Sequence, residues 1–127
     1  MTVILDHTIV LSPDKLGSAL FLGYVLDRPY GGAFSRFAPV QLDDELCLDY
    51  ADTDSDEFER RTFTLLVDEA ELQDVVARLD AEHVPYGSEP EQIGNRQLHT
   101  HDGGRSLFFH DPNGHTFELT TIAYKMI

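Results

Sequence analysis

The sequence predicts an α+β fold: two β-α-β-β-β modules, about residues 1–56 and 57–127, forming one curved mixed sheet around a cavity within a single domain. Three observations carry that expectation. Two runs alternate like strands, Leu5–Leu11 and Arg61–Val67. Each is followed by a capping residue and by apolar residues at helical spacing. Each helix is then followed by strand-like segments separated by turn residues. The registers agree, with Leu16 and Leu72 standing 56 positions apart and His7 and Thr62 standing 55 apart. The repeat rests on element order more than on residue identity.

Taken in order, Leu5–Leu11 is the opening strand. Ser12 suits a helix N-cap and Pro13 the first helical position, where a missing N–H costs nothing. Leu16, Ala19, Leu20 and Gly23 fall on one helical face and are expected to pack on the sheet. Strands are expected at about 34–42 and 45–51. In the second half, Arg61–Val67 is a strand and Asp68 caps a helix, with Glu71 placed to complete a capping box. Leu72, Val75, Val76 and Leu79 form its apolar face. Strands follow at about 84–89, 105–110 and 115–122. Gly94–Gly104 reads as a glycine-bounded loop.

A chain of 127 residues is one domain by size. Its hydrophobic content of 42% and charge of 25% are those of a soluble globular protein. No apolar run approaches the ~20 residues of a membrane span. The amino terminus lacks a basic region before a hydrophobic one, so the cytoplasm is the expected location. The single Cys47 excludes an internal disulfide. A net charge of −14 argues against nucleic acid or an anionic membrane as partner. It suits either a cationic ligand or simply a solvated acidic surface. Much of that charge lies between Asp43 and Glu59, with Asp52–Glu57 reading as an exposed connection. The chain has no phosphate loop, no Gly-x-Ser-x-Gly elbow and no paired-cysteine metal motif.

The segment Gly104–Leu119 reads as two strands about an Asp111-Pro112-Asn113-Gly114 turn. Pro presets φ and Gly supplies a positive one in a type I turn. On the last strand Phe117 and Leu119 alternate with Thr116, Glu118 and Thr120, so a carboxylate sits on a polar face where it needs a partner. This hairpin, with the opening Leu5-Asp6-His7-Thr8-Ile9-Val10 strand, resembles the vicinal-oxygen-chelate superfamily of glyoxalases, bleomycin-resistance proteins and extradiol dioxygenases. Gly31-Gly32-Ala33-Phe34 through Pro39-Val40, Val84-Pro85-Tyr86-Gly87 and Asp102-Gly103-Gly104-Arg105 resemble small bacterial members. The resemblance covers almost the whole chain.

The resemblance implies a divalent metal (Fe, Mn, Ni, Co or Zn) and ligands on the first and last strands of each module. His7 and Glu118 match two such positions; Thr62 falls where a second histidine is usual, and Cys47 at the mate of Glu118. A catalytic site usually has three protein ligands and one open position. His99 is the candidate third ligand and His101 a candidate acid–base group beside Glu118. Both histidines also read as solvent-exposed loop residues. Without the resemblance, His7 reads as a core histidine bonded to a carbonyl and Glu118 as a buried carboxylate paired with an arginine. Cys47, Thr62, Arg105, Tyr50 and Phe34 are candidates for contact with substrate. Arg36, Phe37, Phe108 and Tyr124 are further candidates around the cavity. His110 and His115 are expected to face solvent or bond the turn, and His83 to lie on the surface. The functions implied are a metal-dependent isomerase, lyase or oxygenase acting on a small oxygen-bearing molecule, or a protein that sequesters a small molecule without chemistry. A homodimer is expected in either case, with the modules pairing either within one chain or between two, the second arrangement bringing His7 to the partner's Glu118.

Overall fold

The computed structural model describes residues 2–28, 30 and 32–123. The chain divides into two compact units, Met1–Glu59 and Arg60–Ile127. Two helices and mixed sheet are present as expected; among the described residues the first unit has three strands rather than the four of a full module, and the second has five.

In the first unit β1 (His7–Ser12) runs parallel to β3 (Cys47–Asp52), and β2 (Phe37–Gln41) pairs antiparallel with the other edge of β3. Helix α1 (Lys15–Leu26) packs on this sheet. Residues paired across strands share a face. Val10 beside Tyr50 and Thr8 beside Leu48 form the inward face, where Val10, Tyr50 and Leu48 are buried. His7 beside Cys47 and Ile9 beside Asp49 take the opposite face.

Helix α1 begins two residues later than its sequence signature suggests. Asp14, not Ser12, is the N-cap, and its carboxylate accepts from Gly17 N–H (3.0 Å). Ser12 closes β1 instead and bonds Ser18 Oγ (3.0 Å) inside the core. Leu16 and Leu20 are exposed, and Ser18, Ala19, Leu22, Gly23 and Val25 are buried. A helix apolar on every side offers its periodicity no contrast, and only the cap position fixes which face turns inward.

The second unit opens with β4 (Thr62–Leu66) and α2 (Glu69–Ala81). Asp68 caps α2 by accepting from Glu71 N–H (2.7 Å), and Leu72, Val75 and Leu79 are buried, as the spacing predicts. Strands β7 (Gly104–His110) and β8 (Thr116–Thr120) form the expected hairpin, and β8 runs parallel to β4. At the turn Asp111 C=O accepts from Gly114 N–H (3.2 Å), and Gly114 has φ +97°. Two short strands share the far edge of β7: β5 (Tyr86–Gly87) beside Phe108 and Phe109, and β6 (His99–His101) beside Gly104–Ser106.

The core of this unit holds an aromatic row running across three strands. Phe63 stacks on Phe117 (5.3 Å) and Phe117 on Phe109 (5.5 Å), each pair in register. Such pairs contribute ~0.5–1.5 kcal/mol each beyond area burial. They fix β8 from below and leave its other face to Thr116, Glu118 and Thr120.

His115 departs from its expected surface position and is completely buried. Its Nδ1 accepts from Arg61 N–H (3.0 Å), and the backbone N–H of His115 donates to Asp111 Oδ1 (2.9 Å). The ring thus stitches the hairpin turn to the entry of β4. His110 is exposed and shares a hydrogen bond with Thr116 Oγ1 (3.1 Å), and His83 is exposed beyond α2. No helix among the described residues is long and apolar enough to cross a membrane.

Candidate functional site

Strand pairing assembles the site in the second unit. The register places Thr64, Glu118 and Phe108 in one row, and Thr120, Ser106 and His99 in the next. His101 follows, opposite Gly104. All lie on one face, because directly paired residues point the same way. A cavity of about 750 Å³ opens over that face, lined by Glu118, Phe108, Thr120, Ser106, Gly104, His99, His101 and Arg105, with Ser88, Glu89, Asp102, Ile122 and Ala123 at its margins. That volume suits a small organic molecule.

Five of the residues singled out in the sequence therefore share one cavity: Glu118, His99, His101, Arg105 and Phe108. The two histidines stand on a strand rather than in the expected loop. The cause is Asp102-Gly103, where both residues have positive φ (49° and 82°), as a two-residue type I′ hairpin requires. That dipeptide was the readable signal. The hairpin spaces the imidazoles at i and i+2, with ring centroids 5.9 Å apart.

Glu118 is buried at 8% exposure, and its Oε1 accepts from Thr64 Oγ1 (2.9 Å). Phe108 supplies an apolar wall next to it. His99 Nδ1 lies 3.3 Å from Glu89 Oε1, and His101 Nε2 lies 2.9 Å from Asp102 Oδ2. Arg105 reaches the cavity, but its guanidinium is held by Glu69 at the start of α2, through Nε (2.7 Å) and a second, closer contact. Gly104 is buried, and a Cβ there would meet the side chain of Ile122, so the floor admits no larger residue without displacement.

The remaining candidates lie elsewhere. Thr62 is exposed opposite Thr116; Thr64, two residues on, is the neighbour of Glu118. The 55-residue offset between His7 and Thr62 misses this, whereas pairing register finds it: His7 lies beside Cys47 as Thr64 lies beside Glu118. Tyr50 is wholly buried on the inward face of the first unit, among its core residues. Phe34 is 73% exposed and bridges to Phe37. Arg36 is exposed and lies over the Phe37 ring (5.2 Å). Tyr124 lies outside the described residues.

In the first unit His7 Nδ1 contacts Asp6 Oδ2 (3.0 Å). That hydrogen bond raises the imidazole's pKa above 6.5; slight desolvation opposes it, and the charge of Asp49 adds to it. Cys47 Sγ donates to Asp49 Oδ1 (3.1 Å). Burial, then that hydrogen bond and the Asp49 charge, push the thiol up to about 12.

Within each unit the donors do not gather into the metal cage that the resemblance implies. Among the described residues no three His, Cys, Asp or Glu side chains stand close enough together to hold an ion. In the second unit Glu118 is engaged by Thr64, His99 by Glu89 and His101 by Asp102.

Comparison with known proteins places this arrangement in a family. No family model matches the chain, and no curated protein sequence matches it. Solved structures do. Oxidase ChaP-H2 superposes with a TM-score of 0.90 at 33% identity, over 98% of this chain and 97% of that one. Oxidase ChaP-H1 superposes equally well, with a TM-score of 0.90 at 28% identity, over 98% of this chain and 100% of the other. The fosfomycin resistance protein FosX from Mesorhizobium loti shares the fold at a TM-score of 0.70 and 21% identity, over 97% of this chain and 95% of its own. The chain belongs to the vicinal-oxygen-chelate superfamily, as its doubled module and closing hairpin predict.

Proposed function

We propose that this chain is an oxidase-type enzyme of its superfamily, acting on a small, oxygen-bearing, ring-containing molecule in the cavity of the second unit. The observation that carries this reading is Glu118: a buried carboxylate opening on a cavity, held at one oxygen by Thr64 and walled by Phe108. A carboxylate so placed can take a proton from a substrate hydroxyl, making the ring electron-rich. His101, partnered by Asp102, is the second acid–base group in reach of the cavity. Oxidase chemistry, suggested by the names of the two relatives at 33% and 28% identity, would pass two electrons and two protons from substrate to dioxygen. Within one chain the described side chains do not form a metal cage. The ligand set suggested by the resemblance is tested separately: an ion held at one per chain, and lost in Glu118→Ala, His99→Ala and His7→Ala, would reinstate it.

The test is oxygen uptake with product analysis on a panel of catechols, hydroquinones and enediols, run as purified and after loading with Mn, Fe, Co, Ni or Zn. Turnover that falls at least ~10²-fold in Glu118→Gln is the expected result. Binding without turnover under every loading would replace this reading with sequestration, which the carboxylates around the cavity also suit. We further propose a cytoplasmic homodimer; light scattering of the purified protein tests the assembly.

A further inference from the structure

The cavity has a length as well as a volume. Alternate residues of β7 lie along it, with Phe108 at one end, Ser106 in the middle and Gly104 at the other. Phe108 and Gly104 stand four residues apart, about 13 Å along an extended strand. Glu118 pairs with Phe108 and marks the first end. At the second end Ile122, just past β8, lies against Gly104. That approach requires the glycine, because a Cβ at 104 would run into Ile122 Cγ1 and Cδ1. The backbone around Ile122 is held on both sides. Thr120 Oγ1 donates to Ile122 C=O (3.1 Å) and accepts from Ile122 N–H (3.3 Å). Thr121 N–H donates to Arg105 C=O (3.0 Å), and Arg105 N–H donates to Thr121 Oγ1 (3.0 Å). The chain is thus clasped to β7, and the half-buried Ile122 side chain is the adjustable part. Between the two ends Ser106 and Thr120 are small, so the floor is a trough with one bulky side chain across its far end.

We infer that Gly104 and Ile122 together form a length stop, and that the cavity takes hydroxyarenes bearing an apolar tail. The ring lies at Phe108 and Glu118, and the tail runs along the trough until it meets Ile122. One ring fills roughly half of the ~13 Å, which leaves room for a chain of about four carbons. The inference rests on the reading above that places the ring at Phe108 and Glu118; which reaction follows does not enter it.

The probes are 4-alkylcatechols from methyl to octyl, titrated calorimetrically and anaerobically into the full chain below their aggregation concentrations. In the wild type affinity should rise by up to about fourfold per methylene while the tail fits, then level or fall. Ile122→Ala should move that break about two carbons longer, since it opens space at the end of the trough. Gly104→Ala should move it shorter, because the added methyl raises the floor and lifts Ile122. The double variant should return toward the wild-type break, its new methyl filling the space that Ile122 leaves. Ile122→Ala keeps the backbone clasp, so it decides the matter even where Gly104→Ala disturbs β7. Affinity that climbs through octyl without a break, a break at one length in every variant, or no binding by any member would overturn the inference. Oxygen uptake separates the two proposals. A break that shifts between variants without turnover leaves the length stop standing and sinks the oxidase reading. Turnover whose dependence on tail length no variant alters does the reverse.

Discussion

Cys47 should react with thiol reagents far more slowly than its partial exposure suggests. It is the chain's single cysteine, so the signal has one source. Burial and the Asp49 contact move its pKa from an ordinary 9.0 to about 12. At any pH well below both values, that leaves about a thousandfold less thiolate. A more basic thiolate is also the better nucleophile, and with a Brønsted slope near ~0.45 this recovers roughly 20-fold. The net expectation is a disulfide-exchange rate about 50-fold below that of a free thiol at pH 8. The assay is stopped-flow reaction with Ellman's reagent beside N-acetylcysteine, in buffer and in denaturing urea. Urea should restore the free rate, which excludes prior oxidation. Asp49→Asn should recover part of the loss, about fivefold to tenfold, because burial persists. A native rate equal to that of N-acetylcysteine would refute the reasoning and show a thiol that ionises as freely as a solvated one.

Three further outcomes follow from the geometry. Thr64→Val removes the hydroxyl that orients Glu118 and should lower kcat about tenfold, with Thr64→Ser restoring most of it; an unchanged kcat would mean the carboxylate is held by other contacts. His115→Phe keeps a ring in the core but strands the Arg61 N–H, and should cost ~1–3 kcal/mol in urea unfolding; a loss under about 0.5 kcal/mol would show that the stitch is dispensable. His7 should titrate above 6.5 by NMR because of its Asp6 partner. Since its folded pKa is raised, the pair's stabilisation is complete below the unfolded pKa and disappears as pH rises through the folded one. Asp6→Asn should lower that midpoint, and a midpoint that stays put would assign the shift to other charges.

Much of this architecture was legible in order and periodicity. The capping signature at Asp68 with Glu71, and the Asp111–Gly114 turn, act locally, so they read correctly from a few residues. Glu118 was legible because the alternation of the last strand sets a lone carboxylate between two threonines on one face. Thr64 was not, because two threonines of the same parity precede and follow Phe63, and only pairing with β8 decides which of them meets the carboxylate. His115 was hidden for a different reason: its partners, Arg61 and Asp111, come from opposite ends of the unit, and a polar residue beside a turn ordinarily faces water. In α1 the many apolar residues masked the buried face, and Asp14 competed successfully with Ser12 for the cap.

The Asp102-Gly103 turn constrains how this cavity can change over evolutionary time. A two-residue mirror turn pins β6 against β7, and strand faces alternate every residue. Lengthening β6 by a single residue between His101 and the turn would carry both imidazoles to the opposite side and present Leu98 and Thr100 in their place. Lengthening it by two would keep the imidazoles facing the cavity while sliding them along it. Relatives that diversify on this hairpin should therefore differ in length by even steps when the wall's chemistry is retained, and by odd steps when it is replaced. Odd-length variants grafted onto this chain should bind unlike guests on an unchanged core.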